Sequence, residues 1–179
     1  MTGAAFVPMW TAMMAGMMLP STVPLLRLDY ATTGSRARTV ALATGYLAVW
    51  AVLGSVVLLA DALIGMHSHR TTAALLAVAA LYQLLPLKRR CLTRCRAPLS
   101  RLLLGWRDGV AGALRMGVDN GLWCAGCCAG LMVALIGLGV MSWLWMGLVG
   151  AVILVEKVTW VRTSALSAVL AAGAVVWAM

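Results

Sequence analysis

Apolar residues in this chain come in long unbroken runs set apart by short polar punctuation, with neither the alternation of strands nor the single stripe of soluble amphipathic helices. Six such runs predict membrane-spanning helices: Gly3–Leu26, Val40–Ile64, Thr71–Leu87, Gly121–Val140, Ser142–Val158 and Thr163–Trp177. A span needs about 17 to 25 apolar residues to cross a hydrocarbon layer of about 30 Å, and the third and fifth runs lie near that lower limit. Between the third and fourth, "KRRCLTRCRAPLSRLLLGWRDGVAGALRMGVDNG" changes character. There Leu102, Leu103, Trp106, Val110 and Leu114 recur among Arg101, Arg107 and Arg115, the pattern of an amphipathic helix lying on the membrane surface. The expected fold is all-α. It is a polytopic helical membrane protein of about six transmembrane helices plus one amphipathic interfacial helix, forming a single integral membrane domain over residues 1–179.

Composition strengthens that picture. The chain is 63% hydrophobic and 11% charged, whereas a soluble domain carries about a quarter charged residues. With the bilayer as solvent, backbone polar groups must close within helices or a barrel, and runs of this length choose helices. The N-terminal "MTGAAFVPMW" lacks the basic region of a cleavable signal peptide, so none is expected. A net charge of +9 would suggest nucleic acid in a soluble protein. Here the cations cluster between the apolar runs, so the lipid bilayer is the expected partner and nucleic acid is not. If the segment from Lys88 to Arg107 is cytoplasmic, alternation places 13 of the 14 lysines and arginines inside and leaves only Arg70 outside. That asymmetry predicts both termini outside.

Chemistry concentrates in "NGLWCAGCCAGLM". Successive helical residues turn by about 100°, so Cys124, Cys127 and Cys128 share one face while Gly126 and Gly130 form a small-xxx-small pair on the other. Thiolates grouped in this way suit soft metals, Cu(I) above all, with zinc and iron–sulfur clusters behind it. The competing reading is that buried cysteines act as small hydrophobes. In "PMWTAMMAGMMLPSTVP", Met9, Met13 and Met17 recur every fourth residue, with Met14 and Met18 as a second stripe. Thioethers are uncharged soft ligands, although methionine also fills gaps. Pro20 and Pro24 are expected to kink or end this helix.

Among ionisable groups, Glu156 lies at membrane depth beside Lys157, where a carboxylate is costly unless it ligates or pairs. Asp61, Met66, His67 and His69 offer a weaker outward-facing cluster. Alternation brings the cysteines, Met17, Met18 and Glu156 to one depth on three helices. The expected metal site is therefore Cys124, Cys127, Cys128, Met14, Met17, Met18 and Glu156, with Cu(I) as its ion. Cys91 and Cys95, among cations that favour thiolate, suggest a transient relay or simple packing.

The segments "AGMMLPSTVP", "YQLLPLKRRCLTRCRAPL", "GLWCAGCCAGLM" and "WMGLVGAVILVEK" resemble a bacterial family of predicted metal-binding integral membrane proteins, some labelled copper chaperones. The likeness runs from about Met9 to Lys157. It implies a multi-pass protein of the bacterial cytoplasmic membrane that handles a metal. Two positions depart from the pattern. Asn120 stands where histidine is expected, and Ala129 where an aromatic is expected after the double cysteine; if that histidine is a ligand, the site here is altered.

Two functions follow from different classes. One is a non-enzymatic copper-handling protein that delivers Cu(I) to a membrane cuproenzyme or a soluble metal-binding partner. The other is a structural or assembly subunit of a larger membrane complex. A thiol–disulfide oxidoreductase built on Cys91, Cys95 and the Cys124 cluster ranks behind both, because both sets face the reducing cytoplasm. No hydrolase, transferase or nucleotide-binding pattern is present in the sequence.

Overall fold

In a computed structural model that describes residues 3–64, 69–95, 97, 103, 105–138, 143–158, 169 and 172, the described residues form helices and no strand. The helices are α1 (Gly3–Thr33), α2 (Arg36–Ile64), α3 (His69–Leu84), α4 (Pro86–Cys95), α5 (Gly109–Leu138) and α6 (Trp143–Val158). The all-α expectation holds at that level, and the count of six spans does not. Among the described residues, three helices, α1, α2 and α5, are long and apolar enough to cross a membrane, or four if the bent pair α3–α4 is a single broken span. At 1.5 Å per residue, the 16-residue α3 reaches roughly 24 Å and falls short of a bilayer core. The described part of α6 has the same length. The sixth expected span lies outside the described residues except for 169 and 172.

Boundaries moved for physical reasons. The first span was expected to stop at Leu26, but α1 runs through Pro20 and Pro24 to Thr33. Both prolines are exposed, and the helix continues past them, keeping its later carbonyls hydrogen-bonded within the helix. Of the interfacial helix expected around Leu102–Leu114, residue 103 is helical, residues 102 and 104 lie outside the described residues, and the rest differs from the expectation. Residues 105–108 are not helical, Gly109 adopts φ +74°, and Val110–Arg115 form the first turns of the 30-residue α5. The first part of the basic segment expected as a loop, from Lys88 to Cys95, is helical and belongs to α4, started by Pro86, whose missing N–H suits a first helical position.

Contacts divide the chain into two compact units, Met1–Leu59 with Thr93–Ala125, and Ala60–Leu92 with Gly126–Met179. In the first, α1 and α2 form a hairpin. Gly34 caps α1 at φ +65°, its N–H donating to the Tyr30 carbonyl at 2.8 Å. Trp10, Met14, Met18, Thr22, Leu25 and Asp29 make one buried stripe along α1. Trp10 Nε1 donates to the Trp50 carbonyl of α2 at 3.1 Å. The start of α5 packs on α2 with almost no space between backbones. A Cβ on Gly117 would strike the Leu42 carbonyl, and one on Gly45 the Leu114 carbonyl. Gly121 continues this contact one turn further along α5, against Val49 and the Tyr46 carbonyl.

A buried ion pair closes the hairpin end of this unit. Arg38 Nε donates to Asp29 Oδ1 at 2.8 Å, and its Nη1 donates to the Arg107 carbonyl at 2.7 Å. The guanidinium also lies 4.1 Å from the centre of the Trp106 ring. Arg38, counted above as an inside-facing cation, is therefore a structural staple between the hairpin and the start of α5.

In the second unit α3 bends by 69° into α4 at Leu85. The later half of α5 packs on α3. Gly130 meets the Tyr82 ring and the Ala79 carbonyl, and Thr72 Oγ1 donates to the Gly137 carbonyl at 3.1 Å. Leu76, Ala79 and Ala134 form the core of this contact. α6 joins α4 through Lys88, described below.

Candidate metal centre

One face of α5 is buried from end to end. Ala113, Met116, Asn120, Cys124, Cys127, Cys128, Leu131, Ala134 and Leu135 recur at spacings of three and four, the signature of a helix face covered by neighbours. The three cysteines occupy consecutive positions of that stripe. Their sulfurs all lie within 4.8 Å of one another, and none of the three residues is more than 3% exposed. A thiolate–metal bond of about 2.3 Å, the zinc value, places sulfurs about 4 Å apart in a trigonal site and about 4.6 Å apart in a linear one. Small side-chain rotations bring the trio to either. All five cysteines are free thiols.

Two further residues bear on the trio. The Tyr46 hydroxyl lies 3.1 Å from Cys124 Sγ. Asn120 is buried on the stripe one turn before Cys124, so the position at which the resemblance leads one to expect histidine does face the sulfurs' side of the helix. On the other face, Gly126 has no side chain where Cys91 arrives: a Cβ there would lie 2.9 Å from Cys91 Sγ. Tyr82 donates to the Gly126 carbonyl at 2.6 Å. The glycine packing face expected opposite the sulfurs is thus occupied by α3 and α4. Cys91 is buried against the Gly126 side of the helix, and Cys95, one turn on, is half-buried.

The remaining expected ligands are placed as follows. Met14 and Met18 are fully buried in the unit that also contains Cys124. Met17 and Met13 are half-buried, and Met9 is 42% exposed. Of the two methionine stripes, the second is the inward one. Glu156 is buried on α6, with both carboxylate oxygens accepting from Lys88 Nζ at 2.6 and 2.8 Å. The same ammonium donates to Gln83 Oε1, while Gln83 Nε2 meets no partner among the described residues. Asp61 is half-buried near the end of α2. Met66, His67 and the side chain of His69 lie outside the described residues.

Sequence reasoning missed three participants: Tyr46, Lys88 and the Gly117–Gly121 pair. The first two carried a readable signal. A hydroxyl in the apolar run "GYLAVW" and a carboxylate in "VILVEK" each require a partner once buried.

The chain belongs to the PpoB2 copper chaperone family, whose family model matches residues 7–179. No curated protein and no solved structure matches the chain.

Proposed function

We propose that this member of a copper chaperone family is an integral membrane protein that carries Cu(I) on Cys124, Cys127 and Cys128. The observation that carries the reading is the sulfur trio itself, three buried thiols within 4.8 Å on one helix turn. Copper is cargo here. Linear or trigonal Cu(I) needs two or three soft donors, and a bound cation offsets the cost of burying thiolates. Met14, Met17 and Met18 complete or flank the site as neutral sulfur donors. Glu156, paired with Lys88 in the second unit, flanks the site. The recipient is a membrane cuproenzyme or a soluble metal-binding protein, and no catalytic role is assigned.

Membrane location is part of the proposal, with the bacterial cytoplasmic membrane as the site and both termini outside. Its support is the inverted surface of the helices. Val52, Val56, Leu59 and Leu63 of α2 are 56 to 76% exposed, as are Val78 and Leu81 of α3 at 55 and 66%. Apolar faces of that length on a soluble monomer would be aggregation sites, whereas lipid covers them.

The deciding experiment replaces Cys124, Cys127 and Cys128 together by serine. Anaerobic competition against a Cu(I) chelator should then show loss of stoichiometric binding, while Met9→Leu, at an exposed position, should leave it intact. Native copper affinity in the triple variant, or none in the wild type, would instead make the cysteines packing residues. The chain would then be read as a structural or assembly subunit of a larger membrane complex.

A further inference from the structure

Tyr46 and Cys124 are 78 positions apart in sequence, yet the tyrosine hydroxyl and the cysteine sulfur are 3.1 Å apart, in residues 0% and 3% exposed. We propose that Tyr46 is a positioning residue of the copper site: its phenol donates a hydrogen bond to the Cys124 sulfur and fixes that sulfur as a thiolate facing the ion. The proposal rests on the Cu(I) reading above and adds to it a residue outside the sulfur ligands.

The backbone explains how the contact is made. A Cβ on Gly117 would meet Tyr46 N at 3.0 Å, and one on Gly121 would meet the Tyr46 carbonyl at 3.2 Å. The main chain of Tyr46 therefore rests against both glycines of α5, and Cys124 follows Gly121 by one turn. Side chains at either glycine would push α2 away and take the phenol out of reach. The residue type points the same way. Phenylalanine would fill this buried space without a polar atom to satisfy, and a buried hydroxyl is costly unless it is bonded.

The chemistry makes the contact depend on copper. A thiol is a weak acceptor and a thiolate a strong one. When Cu(I) binds, each ligating thiol gives its proton to solvent or to the departing ligand of the donor complex. Copper remains Cu(I), and Tyr46 keeps its own proton, directed at the sulfur. The hydrogen bond is thus stronger in the loaded protein than in the empty one, so it raises affinity for the cargo and does more than hold α2 to α5.

The test is Tyr46→Phe in the full-length protein, titrated anaerobically with Cu(I) against a competing chelator. Affinity should fall on the order of tenfold, the size expected for a hydrogen bond to a charged acceptor, with unchanged stoichiometry. The sulfur-to-copper charge-transfer band should move to lower energy, because the sulfur lone pairs lose a stabilising donor. The melting temperature of the copper-free protein should change little. In a Cys124→Ser background the same substitution should have no further effect on affinity. Equal affinity and an unmoved band would overturn the proposal and leave the Cu(I) reading standing. So would an equal loss in the Cys124→Ser background, or a loss that follows a fall in melting temperature with no band shift. A wild type that binds no Cu(I) removes both.

Discussion

Replacing Gly117 by alanine adds one methyl group at the closest approach of two long helices. The atoms it would meet are the Leu42 carbonyl group and Tyr46 N, all backbone, so no rotamer change can relieve the overlap. α5 must move away from α2 instead. A separation of 0.5–1 Å already forfeits about a quarter to a half of each dispersion contact along the crossing. Overpacking of this kind costs about 1–3 kcal/mol, and a backbone clash belongs in the upper half of that range. Alanine returns up to about 1 kcal/mol of helix propensity over glycine. The net expectation is a loss of about 1–2 kcal/mol. Gly16 supplies the control, because a Cβ there meets nothing within 4 Å. Gly16→Ala keeps the propensity gain without the clash and should be neutral or stabilising. The assay is thermal unfolding of the purified protein in one detergent, read as the fraction that remains monodisperse after heating. A Gly117→Ala protein as stable as the wild type, or a Gly16→Ala protein equally destabilised, would refute the claim that backbone contact at Gly117 joins these helices.

Two other predictions concern charge. Lys88→Met or Glu156→Met alone should each cost about 3–5 kcal/mol, because the surviving partner stays buried without its counterpart. Replacing both residues with methionine should recover most of that loss in the same melting assay, and simple additivity of the single losses would argue against the pair. For orientation, single-cysteine variants at exposed Arg70 and Arg36 should differ. An impermeant thiol reagent applied to intact cells should label Arg70→Cys and spare Arg36→Cys, and the reverse pattern would invert the proposed topology.

The long helices were legible because 20 or more apolar residues in succession have few alternatives in a membrane. Their ends were not. Polar residues were taken as boundaries, yet Asp29 and Arg38 are buried together at 2.8 Å, which carries α1 and α2 past the expected loop. Lys88 shows the same effect. Counted as a loop cation, it lies inside a helix because Glu156 and Gln83 receive its ammonium. "GVDNG" carries turn chemistry in its Asn-Gly step, which hid the first half of α5. In the fold those two glycines are a helix-contact pair. The cysteine face was readable, since spacings of three and four fix a shared side on any helix. That the Tyr46 hydroxyl needs a partner was readable, but that its partner is Cys124 was not, because a tertiary contact that no local pattern encodes brings them together.

The proposed Cu(I) site has consequences for the charge around it. One Cu(I) on two thiolates leaves a net charge of −1, and on three it leaves −2, in residues almost wholly removed from solvent. Each added charge at that depth is costly. The two buried ion pairs, Asp29 with Arg38 and Lys88 with Glu156, are each internally neutral and so supply no net counter-charge. Neutral dipoles beside the cysteines are a source of stabilisation that these pairs do not supply. The Tyr46 phenol, 3.1 Å from the Cys124 sulfur, and the Asn120 carboxamide on the stripe one turn away are neutral groups of that kind. Dipoles offset part of a charge without holding the ion as a salt bridge would. If the protein carries Cu(I) as proposed, seating the ion away from water and giving it up again is better served by such neutral donors than by a buried lysine or arginine.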